Sequence, residues 1–576
     1  MSALADPFEA RRAVSATGIL REFNDIGVLS AADVHVAARL CGLVGDESEP
    51  VALAVGLAVR GPRLGHVFVD LATIRDTASV ESDEPVDMSV LPWPGVDEWL
   101  AALAASELVA VGEEDGGVRE ARPLRLLGTR LYLDRYWREE CAVAADLNDM
   151  TATRRLEVIA GGPGTGKTTR VARVVAELIQ RAVGSGSRPP LIALAAPTGK
   201  AAARLQEAVH EETAQLVVSE SVRELLMGLR ASTLHRLLGW RPGSHSRFAH
   251  DRGNRLPHDV VIVDETSMVS LSLMARLIEA VRPEARLILV GDPGQLTSIE
   301  AGVVLADIVG PGVGEGVIVL ERVHRYGGGI GALADAIRQG DGDATVAALS
   351  GAPEEITWLP IDVDTTEAGF ELVRDRAVAA GLAVVGAARE GDALQALAAL
   401  GRFRLLCAHR RGPYGVSDWS SRVQAWLAPD IEDIEQRDFV GRPLLVTEND
   451  YELGLYNGDT GVIVAGAGAG AGARERPAAA FERGGEVLRF SPLRLGAVDT
   501  VYAMTIHKSQ GSQFDTAAVL LPAPTSRILT RELLYTGVTR ARRELILVGT
   551  EAAVRQAVER PVARASGLRE RLWTRE

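Results

Sequence analysis

Gly161-Gly162-Pro163-Gly164-Thr165-Gly166-Lys167-Thr168-Thr169 is the stretch that decides the fold, and it directly follows the apolar run 156–160. Its spacing matches the pattern G-x-x-x-x-G-K-[ST] from Gly161 to Thr168. A loop that offers backbone N–H groups to phosphates must curl tightly and carry little side chain, and its glycines allow this. A strand before the loop and a helical pattern after it predict a phosphate-binding loop at a helix N-terminus.

Two side chains of this loop have predicted roles. Lys167 can place its ammonium group against the β- and γ-phosphate oxygens, and the Thr168 hydroxyl can be a ligand for Mg²⁺. The competing interpretation is a chance glycine turn, and the flanking strand and helix count against it. We therefore predict that residues 161–169 bind a nucleoside triphosphate, ATP with Mg²⁺, and that Lys167 is catalytic.

Composition limits the class of protein. The chain has 576 residues, a length typical of three or four domains, and a net charge of −15. This charge argues against a non-specific nucleic-acid coat but permits binding in a groove. Cys41, Cys141 and Cys407 form no C-x-x-C pair, which argues against a zinc site, an iron–sulfur cluster or a disulfide framework. With no signal-peptide pattern and no apolar run of membrane-spanning length, we expect a cytoplasmic protein without membrane association.

Hydrophobic patterning predicts an α/β fold. Apolar strands alternate with helices at 156–160, 191–196, 259–263 and 286–290, and a second set runs from 403–408 to 544–549. This is the pattern of parallel sheets covered by helices. Short strands joined by Asn-Gly and Gly-rich turns predict a small β-barrel inserted at 438–500, with the Ala/Gly run 465–473 as a hairpin tip.

The predicted domain organisation follows from these patterns. We expect an N-terminal module (1–120), a connecting hairpin and helix (121–155), a first sheet domain (156–345), a connecting helical segment (346–400), and a second sheet domain (401–576) that carries the insertion 438–500.

Two further motifs indicate hydrolysis as well as binding. The apolar strand 260–263 ends in Asp264 and Glu265. At the carboxyl edge of a parallel sheet, Asp264 can order Mg²⁺ and Glu265 can polarise the attacking water, whereas the alternative is a solvated acidic loop. The next strand ends in Gly291-Asp292-Pro293-Gly294-Gln295, and Gln295 is predicted to sense the γ-phosphate.

Phosphoryl transfer also needs cations from across the cleft, because negative charge builds on the transferred group. Arg325 and Arg540 are the predicted candidates, although either can be an ordinary surface arginine. Arg540 lies in the second half of the chain, so its contact with ATP would couple the two halves.

The ordered motifs resemble those of superfamily-one DNA helicases, and within that group the RecD family, the alpha subunits of exodeoxyribonuclease V (the RecBCD complex). The resemblance rests on the phrases APTGKAAARL (196–205), STLHRLLG (232–239), LCA-x-R-x-GP-x-GV (406–416), LGLYNGD-x-G (453–461) and MTIHKSQGS-x-FD (504–515), in matching order and spacing. It covers nearly the whole chain and is weakest over 1–120 and 340–400.

The resemblance implies two RecA-like motor domains, an SH3-like barrel at 438–500, and 5′-to-3′ translocation on single-stranded DNA. It places eight residues along the DNA path: Thr198, Lys200, Thr233, His235, Thr505, His507, Ser509 and Gln510. Hydroxyls, amides and a few cations can hold phosphates without reading bases. For each Thr or Ser, helix capping or turn formation is an equally good explanation.

The resemblance also implies partners. It predicts a heterotrimer with RecB-like and RecC-like subunits that binds the 5′-ended strand and repairs double-strand breaks by homologous recombination, with the N-terminal module docking on a partner. The sequence has no clustered acidic-lysine nuclease signature, so nuclease activity is expected on a partner subunit. The alternatives are a stand-alone DNA or RNA helicase and a catalytically silent scaffold.

The chain departs from the family pattern at one position. Many relatives carry a glutamine upstream of the phosphate loop that recognises adenine, whereas the first glutamine here is Gln180, after the loop. We therefore predict weak discrimination among nucleotide bases.

Overall fold

The computed structural model describes residues 12–78, 80, 88–114, 122–241, 247–298, 300–310, 316–320, 328–351, 354–364, 368–450, 452–466, 476–483 and 486–573. Within these ranges the strands form four sheets. Two of the sheets are parallel and lie on either side of the candidate site described below.

The N-terminal part combines helices with a small sheet of order β1-β4-β3-β2. Its elements are α1 (Gly18–Asp25), α2 (Ala31–Val44), α3 (Glu49–Arg60), β1 (Phe68–Asp70), α4 (Ile74–Thr77), α5 (Val96–Ala105), β2 (Val109–Val111), β3 (Leu124–Leu127), β4 (Arg130–Leu133) and α6 (Asp134–Ala152). The hairpin β3–β4, which the sequence places in the connecting segment, completes this sheet because β4 pairs with β1. That pairing joins residues 60 to 64 positions apart, which local patterning does not reveal.

The first parallel sheet has the order β10-β5-β9-β8-β6-β7. Its elements are β5 (Leu156–Gly161), α7 (Lys167–Gly184), β6 (Ile192–Ala196), α8 (Gly199–Gln215), α9 (Glu220–Met227), β7 (Ala231–Thr233), α10 (Leu234–Leu237), β8 (Val260–Val263), α11 (Leu271–Ala280), β9 (Arg286–Gly291), α12 (Val304–Ile308) and β10 (Val317–Leu320). Its central strands are largely apolar because both faces are covered: Val158 packs on one side and Ile159 on the other. The charged exceptions, Glu157 of β5 and Arg286 of β9, form an ion pair at 2.9 Å.

The second parallel sheet has the order β11-β20-β19-β12-β18. Its elements are α13 (Gly328–Gln339), α14 (Gly342–Ser350), β11 (Ile356–Leu359), α15 (Glu371–Arg389), α16 (Ala393–Leu400), β12 (Phe403–Cys407), α17 (Val416–Leu427), β18 (Ala503–Thr505), β19 (Phe514–Leu520), α18 (Arg531–Val538), β20 (Ala541–Val548), α19 (Glu551–Glu559) and α20 (Leu568–Trp573). The α/β class with two parallel sheets is therefore confirmed.

Between α17 and β18 lies a five-stranded antiparallel sheet of order β16-β15-β14-β13-β17. Its strands are β13 (Pro443–Val446), β14 (Thr460–Val464), β15 (Ala478–Arg483), β16 (Glu486–Phe490) and β17 (Val498–Thr500). The predicted inserted β-structure is present, while its SH3-like character stays a prediction. The hairpin β14–β15 forms as expected, although residues 467–475 of its tip lie outside the described residues.

Two helices pack on a different sheet from the one that their position in the chain predicts. Helix α13, within the predicted first sheet domain, contributes Ile330 and Leu333 to the core of the second sheet. Helix α20, at the end of the chain, returns to the first sheet and buries Leu568 in its core. The chain therefore crosses from the first sheet to the second before α13 and returns to the first sheet at α20.

Candidate nucleotide-binding site

The phosphate loop joins β5 to α7, as the spacing predicts. Gly164 and Gly166 have φ of +78° and +84°, values that favour glycine. At Gly161, an added Cβ would lie 2.8 Å from the carbonyl oxygen of Leu320 on the neighbouring strand, so only glycine fits there. Lys167 Nζ donates to the carbonyl oxygens of Gly161 (2.6 Å) and Gly162 (2.9 Å), which places the ammonium inside the curl of the loop.

The two predicted acids lie at the carboxyl end of β8, on the same sheet edge as the phosphate loop. Burial and the neighbouring Glu265 raise the pKa of Asp264, and the Lys167 ammonium acts in the opposite direction. Glu265 has a φ of +50°, a left-handed conformation that is rare for a residue with a long side chain. Its backbone N–H donates to Asp264 Oδ1 at 2.8 Å. The strained turn thus presents both carboxyl groups at one place.

Gln295 follows β9 and is buried, with 4% of its surface exposed. Its Nε2 donates to Asp292 Oδ2 at 3.0 Å, and its Oε1 is buried without a hydrogen-bond partner among the described residues. Because a carboxylate accepts only, this bond fixes which end of the amide is the donor. An acceptor oxygen therefore remains beside the cavity that Gln295 helps to line.

A cavity of about 360 Å³ opens between the two parallel sheets, a size within the range of ligand pockets. The first half of the chain contributes the phosphate loop, Asp264, Glu265 and Gln295, and the second half contributes residues 511–513 and Arg540. Arg540 is buried, donating to the carbonyl oxygens of Thr536 (3.0 Å) and Ser512 (3.1 Å). Lys167, Asp264, Glu265, Gln295 and Arg540 therefore meet in one cavity. Arg325, the remaining predicted catalytic residue, lies outside the described residues.

Several cavity-lining residues are absent from the predicted set, among them the polar side chains of Arg204, Gln513 and Arg542. Arg204 also donates to the carbonyl oxygen of Gly511, a contact between the two halves. Burial, followed by the positive charges of Arg542 and Arg540, lowers the pKa of Arg204 to about 10. Arg204 and Gln513 fall within the quoted motifs 196–205 and 504–515, and Arg542 lies two residues after the predicted Arg540. Only the fold shows that these side chains line the cavity.

The donor set suits Mg²⁺. Thr168 at the start of α7 and Asp264 at the end of β8 both line the cavity, and both offer oxygen atoms. Mg²⁺ prefers oxygen ligands, and in nucleotide sites it takes one or two from protein and the rest from phosphates and water. A cation there would also favour the charged form of Asp264, which burial opposes.

Four predicted DNA-path residues follow β6 and β7, which are paired at one edge of the first sheet. Thr198 and Thr233 cap α8 and α10, accepting from the N–H groups of Ala201 and Arg236. His235 is exposed. Lys200 donates to the carbonyl oxygen of Gly458, in the loop that precedes β14 of the inserted sheet, at 3.0 Å. These contacts bring the first sheet and the insertion together.

The other four predicted DNA-path residues lie in one short segment that begins with Thr505, the last residue of β18. Thr505 accepts from the N–H of Lys508, and Ser509 is fully buried and donates to the carbonyl oxygen of Ile506. As placed here, both hydroxyls stabilise a turn. Gln510 Nε2 donates to the carbonyl oxygen of Leu296, and burial lowers the pKa of His507. The segment runs directly into cavity-lining residues 511–513.

A phosphate loop on one parallel sheet, facing a buried arginine from another, defines this protein as a P-loop nucleoside triphosphatase with its site between two parallel-sheet domains. Models of known families match along the chain: "RecBCD enzyme subunit RecD, N-terminal domain" at 25–132, "AAA domain" at 145–301 and "UvrD-like helicase C-terminal domain" at 500–548. The RecBCD enzyme subunit RecD of Mycolicibacterium smegmatis is 50% identical over 96% of this chain and 99% of its own length. The chain therefore belongs to the RecD family.

Two further relatives differ in coverage. The RecBCD enzyme subunit RecD of Mycobacterium tuberculosis is 50% identical over 97% of this chain and 98% of its own length. The ATP-dependent RecD2 DNA helicase of Deinococcus radiodurans is 31% identical over 74% of this chain but only 52% of its own length. Among the described residues, no helix is both long and apolar enough to cross a membrane.

Proposed function

We propose that this chain is the ATP-hydrolysing, 5′-to-3′ DNA helicase subunit of a RecBCD-type enzyme (exodeoxyribonuclease V). It binds the 5′-ended single strand beside RecB-like and RecC-like subunits, in the cytoplasm, and acts in double-strand break repair by homologous recombination. The observation that carries the proposal is the cavity itself, where Arg540 from the second sheet faces Lys167 and Glu265 from the first. Its closure on ATP therefore moves one sheet domain against the other.

The residues of the cavity have distinct tasks. Lys167 and the N–H groups of the phosphate loop hold the triphosphate, and Glu265 orients the attacking water. Arg540 stabilises the negative charge that develops on the transferred phosphoryl group. Thr168 and Asp264 would hold Mg²⁺, which supplies further charge neutralisation when bound.

Coupling of hydrolysis to movement along DNA follows from the chain itself. The segment 505–513 carries predicted DNA-path residues at one end and cavity-lining residues at the other. Gln510 also bonds the backbone at Leu296, one residue after Gln295. A change at the γ-phosphate thus reaches the DNA path within a few residues, so each closing and reopening advances the strand.

Two observations support a role as a subunit. The match to the RecD N-terminal domain covers residues 25–132, the region expected to dock on a partner. The two mycobacterial relatives, both named as RecBCD subunits, match along nearly their whole length, whereas the chain spans about half of the RecD2 helicase. Nuclease activity is assigned to a partner subunit.

The first test is ATP hydrolysis with and without single-stranded DNA, using the chain with its partner subunits. Lys167→Ala should abolish the DNA-stimulated activity while circular dichroism and the unfolding temperature stay unchanged. Arg181→Ala, near the other end of α7, is the matched control and should hydrolyse ATP normally. Near-normal turnover in Lys167→Ala would refute the site, and an inactive wild type would indicate a scaffold.

Directionality and base preference need separate assays. Unwinding of 5′-tailed duplexes by the assembled enzyme should depend on Lys167, whereas dependence only on 3′ tails would contradict the proposed polarity. Among the described residues, none before Pro163 lines the cavity, in keeping with the absence of an upstream glutamine. We expect comparable kcat/KM for ATP, GTP and CTP, and a strong preference for ATP would show that another part of the chain reads adenine.

A further inference from the structure

Tyr535 of α18 reaches across from the second sheet domain to the loop that follows β9. It is buried, with 4% of its surface exposed, and its hydroxyl donates to Asp292 Oδ2 at 3.2 Å. The same hydroxyl lies against the phosphate loop, because a Cβ added at Gly162 would be only 2.9 Å from it. One side chain of the second domain therefore contacts both nucleotide-binding loops of the first.

Asp292 transmits this contact to Gln295. Its Oδ2 accepts from both the Tyr535 hydroxyl and Gln295 Nε2, and its Oδ1 accepts from the N–H of Gly294 at 3.0 Å. With Nε2 bonded to the carboxylate, the acceptor Oε1 of Gln295 is left without a hydrogen-bond partner among the described residues, and Gln295 lines the cavity. An acceptor oxygen next to Glu265 is suited to orient a water molecule for attack on the γ-phosphate.

The neighbouring residues strengthen the link between the domains. The N–H of Leu296 donates to Thr536 Oγ1 at 2.9 Å, and the carbonyl oxygen of Thr536 accepts from Arg540. The Tyr535–Asp292 distance lies beyond the usual 2.7–2.8 Å of an O–H···O bond, whereas the Gln295–Asp292 distance is ordinary for N–H···O. Of these two bonds to Asp292, the tyrosine bond is the one that joins the two halves of the chain.

We propose that Tyr535 is a positioning residue for hydrolysis: its hydroxyl holds Asp292, which fixes the Gln295 amide with Oε1 toward the attacking water when the two domains close. Tyr535 is not among the residues that line the cavity, although its hydroxyl lies behind the phosphate loop, so its loss should lower kcat more than it weakens ATP binding. This inference rests on the proposed ATP hydrolysis, and it adds a route by which the second domain reports closure to the first.

The test is Tyr535→Phe, which removes the hydroxyl and keeps the ring. In the assembled enzyme with single-stranded DNA, kcat for ATP should fall roughly ten-fold while KM for ATP changes less than about two-fold, as for loss of one hydrogen bond used only in the chemical step. Tyr132→Phe is the matched control, because Tyr132 is also buried, its hydroxyl pairs with Glu140, and it lies in the N-terminal sheet. It should keep full kcat.

A double-mutant cycle separates positioning from general destabilisation. In a Gln295→Ala background, Tyr535→Phe should cause no further loss of kcat, since no amide remains to be oriented. A wild-type kcat in Tyr535→Phe, or a loss of equal size with and without Gln295, would overturn the inference and leave the proposed function intact. A wild type without DNA-stimulated hydrolysis would overturn both.

Discussion

At the scale of single residues, Glu265 combines strain with function. Its φ of +50° belongs to the left-handed region, which costs a residue with a Cβ about 1–2 kcal/mol. The adjacent Asp264 accepts its N–H and helps to hold the turn. Strain of this kind persists where the surrounding structure enforces it and where the geometry is needed, here to bring the carboxylate into the cavity.

Glu265→Gln and Glu265→Gly test both parts of this argument. Both should lower kcat for ATP by at least about 100-fold, because both lack the carboxylate that polarises water. Glu265→Gly should also be more stable than Glu265→Gln by up to about 1 kcal/mol, since only glycine relieves the positive φ and it loses part of that gain to backbone entropy. Urea unfolding and steady-state kinetics measure the two effects. A glycine variant that unfolds at a lower urea concentration than the glutamine variant would contradict the claim that the positive φ at residue 265 costs stability.

Arg540 is the residue on which the two-domain site depends. Its guanidinium is already oriented by Thr536 and Ser512, so a shorter cation cannot reproduce the geometry. Arg540→Lys should lower kcat by about 100-fold or more while ATP binding persists. Arg543→Ala changes an exposed arginine on β20, the strand that follows Arg540, and should behave as wild type. Equal kinetics for wild type and Arg540→Lys would remove Arg540 from the chemical step.

At the scale of elements, the start of α8 joins the first domain to the inserted sheet. Gly199 lies so close to Tyr456 that an added Cβ would be 2.3 Å from the ring. Beside it, burial and the positive charge of Arg204, with Arg404 adding to the same effect and Asp459 opposing it, lower the pKa of Lys200 to about 7. A lysine held against the positive end of a helix destabilises the fold, and a requirement to bind DNA phosphates would explain its presence.

The pH dependence of this effect has a definite sign. The folded pKa of Lys200 is about 7 and its ordinary value is 10.5, so between these values the unfolded chain binds more protons and stability rises with pH. Lys200→Met should therefore raise the free energy of unfolding at pH 7 by at least about 1 kcal/mol, and the gain should shrink toward pH 10. Urea unfolding at both pH values measures it.

Binding of single-stranded DNA checks the functional half of the same prediction. Lys200→Met should weaken it, whereas Arg181→Met, an exposed substitution on α7, should change neither stability nor binding. A gain in stability that does not change with pH would show that the pKa of Lys200 is not lowered in the folded protein. Unchanged DNA affinity would remove it from the DNA path.

Elements differ in how far the sequence predicts them. Strands such as β5, β8 and β9 are predominantly apolar runs that lead into the site residues, so their position and the phosphate loop follow from local pattern. Residues such as Thr198 and Thr505 show the limit of motif reading, because a hydroxyl that caps a helix or closes a turn looks the same in sequence as one that binds phosphate. Arg204 is the converse case, since its place in the cavity depends on how α8 faces the second domain.

At the scale of the whole molecule, the last residues connect all three parts of the chain. After α19 the backbone crosses from the second sheet domain, and α20 then packs on the first. On the way, the N–H of Val67 donates to the carbonyl oxygen of Ala565 at 2.7 Å, and Glu570 forms a two-bond ion pair with Arg130. No sequence pattern predicts this return, because it depends on contacts between residues more than 400 positions apart.

A histidine at this crossing makes the assembly sensitive to acid. The N–H of Ala565 donates to His66 Nδ1 at 3.1 Å, so this nitrogen accepts and the ring is neutral. Burial, followed by the positive charges of Arg60 and Arg564, lowers the pKa of His66 from 6.5 to about 4. Protonation would turn the acceptor into a donor facing another N–H group, and it would add charge beside two arginines.

The sign follows from the two pKa values. Between pH 6.5 and 4 the unfolded chain binds more protons than the folded one, so the contribution of neutral His66 is complete above pH 6.5 and is lost as the pH falls toward 4. His66→Asn offers an amide oxygen as the acceptor and cannot be protonated, so it should lose roughly 1–3 kcal/mol less free energy of unfolding than wild type between pH 7 and pH 4.

The measurement is urea unfolding across this range, with amide hydrogen exchange at Val67 as the local probe. His35→Asn is the matched control, because His35 is exposed on α2 and should follow wild type. Acid should release the Val67 amide in wild type before the amides of the N-terminal sheet, since this N–H is bonded to Ala565, the residue whose own N–H is held by His66. If His66→Asn and wild type lose the same free energy of unfolding between pH 7 and pH 4, the link between the C-terminal segment and the N-terminal sheet does not depend on the neutral imidazole. The loss of stability in acid would then come from protonation of the protein's carboxylates.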